Sequence, residues 1–73
     1  MQNFGKFIDD IRKEIKELNV YFKQVDSGEI MTIELPKSQK KFIVDTTIIG
    51  KIKYDTPEYL ELLEMTIETL NDF

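Results

Sequence analysis

The spacing of apolar residues changes period twice along this chain, and that change limits the architectures open to it. In "NFGKFIDDIRKEIKELN", Asn3 to Asn19, the residues Phe4, Phe7, Ile8, Ile11, Ile15 and Leu18 recur at the intervals of one helical face. Asp9 and Lys13 stand in the order that favours an i,i+4 pair, while Gly5 slightly weakens the first turn. In "VYFKQV" and "IMTIEL" the period drops to two: Met31, Ile33 and Leu35 alternate with Thr32 and Glu34, as in a strand with one buried face. Between them "DSGE" holds Gly28, which supplies the positive φ that tight turns often need. Pro36 lacks a ladder donor and ends the second strand. Beyond the polar loop "KSQK", the segment "KFIVD" reads as a third strand with Phe42 and Val44 on one side.

"TTIIGKIKY" admits two readings. One is a fourth strand, with Ile48, Ile52 and Tyr54 on one face and Ile49, Lys51 and Lys53 on the other. The other is an irregular link, since Gly50 weakens a strand interior; a short strand is the expectation. The helical period then returns. Asp55 or Thr56 can cap a helix, Pro57 suits its first position, and Glu58 complements the positive end of the dipole. Leu60, Leu63, Ile67 and Leu70, flanked by Tyr59 and Leu62, form its expected buried face. The whole reads as a single α+β domain over residues 1–73: helix, three- or four-stranded antiparallel sheet, helix, with both helices on one sheet face. A domain this short buries only about 60% of the surface its unfolded chain exposes, so a partner or a twin could add to its stability.

Charge is distributed unevenly. Residues 37–54 carry five Lys against Asp45 alone, whereas residues 55–73 carry six acids and no base. On a helical wheel Glu58, Glu61, Glu64, Glu68 and Asp72 share an arc of roughly 120° opposite the leucines, with Met65 inside it. A solvated face is the simplest account, because Glu forms helices well and keeps small domains soluble. Against it, carboxylates spaced i,i+3 and i,i+4 without intervening Lys each cost a few tenths of a kcal/mol. The alternative is a surface presented to a basic partner, with Met65 as a small apolar anchor, in which a row of carboxylates imitates a line of phosphates.

Lys37, Lys40, Lys41, Lys51 and Lys53, with Tyr21 and Tyr54 near them, could instead bind single-stranded nucleic acid by charge and stacking. Lys on edge strands also serves simply to discourage edge-to-edge pairing. A net charge of −4 opposes approach to phosphate, so direct nucleic-acid binding is the weaker reading. A homodimer that joins open sheet faces or edge strands is a third.

Catalysis is not expected. There is no His and no Cys, so Cys/His zinc sites, thiolate chemistry and imidazole bases are excluded. Ser27 and Ser38 have no base to activate them, and Asp9, Asp10 and Glu14 fall on a solvated helix face with no pocket implied. "DSGE" cannot cradle phosphate, and no spacing matches an EF-hand, so neither metal nor cofactor is expected. "MQNFGKFIDD" lacks the apolar core of a secretory signal, and no run is long enough to span a membrane; a soluble, cytoplasmic protein is the expectation.

The order helix, three strands, helix is similar to that of the double-stranded RNA-binding domain. In that family the second helix opens with phosphate-gripping lysines, where this chain has "TPEYLELLE", so the layout is shared and the chemistry inverted. In size, acidity, lack of Cys and the opening "FIDDIRKEIKEL" before a three-stranded region, the chain resembles the anti-CRISPR inhibitors that phages and prophages encode against type II nucleases. Several of those are small acidic domains that block the enzyme's DNA-binding channel. The resemblance implies an inhibitor whose partner is a basic surface on a nucleic-acid-binding enzyme.

Overall fold

The computed structural model describes residues 4–72. Helix α1 (Gly5–Glu14) leads into strands β1 (Asn19–Val25), β2 (Gly28–Leu35) and β3 (Lys40–Asp45). A short helix α2 (Thr46–Ile49) and the long helix α3 (Pro57–Asn71) follow. The strands form an antiparallel meander in the order β1-β2-β3. Its register is unbroken: Val25 faces Gly28 across the first turn, and Leu35 faces Lys40 across the second. The α+β layout is the one read from the sequence, with three strands rather than four.

Alternation along the strands sends Met31, Ile33 and Val44 to one side, where Phe7 and Ile11 of α1 and Tyr59, Leu62 and Leu70 of α3 close over them. Sheet and helices make two layers, and the molecule measures only 18 Å along its shortest axis. The opposite sheet face carries Tyr21, Thr32 and Ile43 in one cross-strand row, and no helix among the described residues packs on that row, with Tyr21 and Ile43 exposed.

Gly28 opens β2 at φ +138°, and a Cβ there would stand 3.0 Å from Thr47 Oγ1. The glycine is therefore required twice, once by the turn and once by the approach of α2.

Four sequence expectations need correction. The first helix stops at Glu14: Ile15 is extended (φ −126°, ψ 96°), and Leu18 reaches the core from the connection to β1 rather than from a helix. (Asn3, the expected start, lies outside the described residues.) Lys13 pairs with Asp10 at 3.4 Å, not with Asp9, because Asp10 lies at the edge of the core where Lys6 and Tyr59 also converge on it. Residues 46–54 form no strand; Asp45 Oδ1 accepts from the Thr47 N–H at 2.8 Å and starts α2 instead. That turn buries Ile49 and leaves Ile48 outside, while Ile52 and Tyr54 pack against the core. The fourth concerns the rotation of α3.

Candidate functional site

Helix α3 begins where the sequence indicates. Thr56 caps it, its Oγ1 accepting from the Tyr59 N–H at 3.3 Å, and Pro57 occupies the first turn. Asp55 is not the cap; it takes φ +66° in the turn before.

Tyr59 fixes how the helix is rotated. Its hydroxyl donates to Asp10 Oδ2 of α1 at 2.6 Å, and its ring stands edge-on to Phe7 and Tyr54 with centroids 6.2 and 5.0 Å away. Lys6 donates to the same Asp10 oxygen at 2.9 Å and lies over both tyrosine rings. The Tyr59 and Lys6 hydrogen bonds hold the Asp10 carboxyl down to about 2, below the usual carboxylate range. Burial, then the Asp10 bond, pushes the Tyr59 phenol well above its ordinary value, and the Asp10 bond raises Lys6.

With Tyr59 turned inward, the buried line of α3 is Tyr59, Leu62, Thr66 and Leu70. Thr66 is tolerated there because its hydroxyl donates back to the Leu62 carbonyl at 2.8 Å. Leu63 and Ile67 are only half-buried, and Leu60, expected inside, is 58% exposed. The outward face is then Glu58, Glu61, Glu64, Glu68 and Asp72, all exposed, with Met65 53% exposed among them. The six residues singled out in the sequence thus share one open face, and Leu60 adds a second apolar side chain at its border that sequence reasoning missed. Nothing in the local pattern marks Leu60 as external, since its exposure follows from a bond made 49 positions away in sequence.

Electrostatically this face is one-signed. Among the described residues, ion pairs join Lys6 and Lys13 to Asp10 and Lys37 to Glu17, and none reaches an acid on α3. Its last turn contains no basic residue, so Glu68 and Asp72 lie toward the negative end of the dipole uncompensated.

The lysine segment is less assembled. Lys37, Lys40, Lys41, Lys51 and Lys53 are all exposed, but they are spread over a turn, β3 and the link after α2. Tyr21 stands on the open sheet face, its hydroxyl 3.4 Å from Glu34, whereas Tyr54 packs against Tyr59 beside the helices. The two rings therefore do not form one stacking platform. An open cleft lies between the α1–β1 link and the β2–β3 turn, with Ile15 and Leu35 as apolar walls and the Lys37–Glu17 pair, 3.4 Å apart, at its rim. Among the described residues no group of acids is arranged to hold a metal ion, and no helix is long and apolar enough to cross a membrane. Comparison of the chain with protein-family models, with curated proteins and with solved structures finds no match.

Proposed function

We propose that this protein is a non-enzymatic, cytoplasmic interaction module that lays the outer face of α3 on a basic surface of another protein, in the manner of a nucleic-acid mimic. The version implied by the anti-CRISPR resemblance is a phage- or mobile-element-encoded inhibitor that occupies the nucleic-acid channel of an enzyme. One observation carries the reading: five carboxylates on a single exposed helix face have no cationic partner among the described residues. A domain that needed this face only for solubility would gain by interleaving lysines, which relieve like-charge spacing at no structural cost. Left unpaired, the carboxylates steer a basic partner by their field, while Met65 and Leu60 give the encounter an apolar foothold.

The test is capture of proteins from nuclease-treated lysate by the tagged domain, compared with the triple variant Glu61→Lys, Glu64→Lys, Glu68→Lys. The side chains are exposed, so the variant keeps the circular dichroism of the parent. It is expected to lose basic proteins that the parent retains and that added duplex DNA displaces. Equal capture by both forms, or capture that vanishes once nuclease is added, removes the proposal.

A further inference from the structure

The open edge of β3 is self-complementary, and we infer that it joins a second copy of this chain in an antiparallel, two-fold pairing centred on Ile43. Among the described residues, strand β3 has β2 on one side and no strand on the other. Which of its backbone groups point outward follows from the register. The two-residue turn makes Val25 and Gly28 a hydrogen-bonded pair, so Ile30, Thr32 and Glu34 bond toward β1 while Met31, Ile33 and Leu35 bond toward β3. On β3, Lys40, Phe42 and Val44 are therefore engaged with β2. Lys41 and Ile43 direct their N–H and C=O groups to the free edge, and Asp45 its N–H alone. Among the described residues, no backbone bond outside the sheet reaches Lys41 or Ile43.

A two-fold axis normal to the sheet must pass through a residue, because residues opposite each other share a face. Side chains then select the register. Centring on Lys41 sets Lys41 against itself. Centring on Phe42 sets Lys41 against Ile43, and centring on Val44 sets Asp45 against Ile43. Only the axis through Ile43 places Lys41 opposite the other copy's Asp45, twice, with Phe42 opposite Val44 on the inner face. Ile43, 60% exposed in the monomer, then meets its own counterpart.

The backbone agrees with this register. The two Ile43 residues exchange both of their hydrogen bonds, and each Asp45 N–H can reach a Lys41 carbonyl. The Asp45 carbonyl is already committed as the cap of α2, and its Oδ1 to Thr47, which leaves Oδ2 for lysine. Lys41 thus selects a register rather than merely blocking the edge. The other free edge, β1, lacks this property: pairing about Phe22 sets Lys23 against Tyr21 and Gln24 against Val20, with no opposite charges matched. The joined sheet keeps its faces, so both copies present α3 on the same side.

Two measurements decide the matter, and neither depends on the role proposed for the α3 acids. Sedimentation equilibrium of the wild-type chain should show a reversible dimer, and Ile43→Lys should raise its dissociation constant at least tenfold while leaving the circular dichroism unchanged. Ile43→Cys is the second variant. Opposed residues of a hydrogen-bonded pair have Cα atoms about 5.5 Å apart, within disulfide reach, and the chain contains no other Cys. Mild oxidation should convert this variant to a covalent dimer, whereas Tyr21→Cys, on the same sheet face, should not respond. A wild-type chain that stays monomeric at several hundred micromolar, or equal cross-linking by the two cysteine variants, overturns the inference.

Discussion

Replacing Tyr59 with Phe removes one oxygen and keeps the ring that packs on Phe7 and Tyr54, so its effect isolates the hydrogen bond to Asp10. That bond has a charged acceptor whose side chain is 13% exposed, and such bonds contribute about 1.5–3 kcal/mol. Lys6 and Lys13 remain on Asp10 after the change, which favours the lower half of that range, and we take about 2 kcal/mol. For a domain of this size that corresponds to a fall in Tm of roughly 8–16 °C. It is also a large part of a total stability on the order of 4–11 kcal/mol. Urea unfolding followed by circular dichroism measures it, and a cycle with Asp10→Asn separates the pair from each group's other contacts. The pH dependence has a definite sign. Because Asp10 is held near 2, its contribution is complete above its ordinary value of 3.8 and is lost as pH falls toward 2. The gap between the two proteins is therefore widest near neutrality and narrows between about pH 5 and pH 2. A gap under about 0.5 kcal/mol, or one of the same size at pH 2.5 and pH 7, would refute the assignment of Tyr59 as the bolt between α1 and α3.

Other perturbations test other parts of the structure. Gly28→Ala combines a φ of +138° with a Cβ 3.0 Å from Thr47 Oγ1, and should cost about 1–3 kcal/mol in chemical denaturation; Thr47→Ala should recover only the contact portion. Leu70→Ala, at a position almost fully buried, should cost about 3 kcal/mol, whereas Leu60→Ala should change stability by less than about 0.5 kcal/mol. The opposite order in thermal melts would mean that α3 is rotated differently. Glu68→Lys places a cation near the negative end of α3 and should raise stability by about 0.3–1 kcal/mol at low salt, an increment that added salt should erase.

Local chemistry explains what could be read from the chain alone. The hairpin, the third strand and the start of α3 each rest on short-range signals: alternation in "IMTIEL", Gly28 at the turn, and Thr56 before Pro57. The acidic face was legible because helical spacing fixes angular position regardless of what the helix packs on. Where the local signals leave two options open, a tertiary contact chooses between them. "TTIIGKIKY" has β-branched content suited to a strand, yet Asp45 before two threonines is also a capping sequence, and burial of Ile49 favours the helical turn. Residues 15–18 continue the helical spacing of α1, but Ile15 and Leu18 reach the core as well from a non-helical link that begins with extended Ile15. The rotation of α3 depends on Asp10, and no window of sequence short enough to show periodicity contains both Asp10 and Tyr59.

The Tyr59–Asp10 bond also bears on the order in which the chain acquires structure. The meander is built from neighbours in sequence and can close as soon as it leaves the ribosome, whereas α1 must wait for a helix synthesised more than 40 residues later before its phenylalanine and isoleucines are covered. Nascent chains arrested after β3 should accordingly bind a hydrophobic dye strongly, and release of the α3 segment should abolish the signal. In the finished molecule the same dependence makes the two helices a single cooperative unit, so amide exchange in α1 and α3 should accelerate together under mild denaturant while the central strand stays protected.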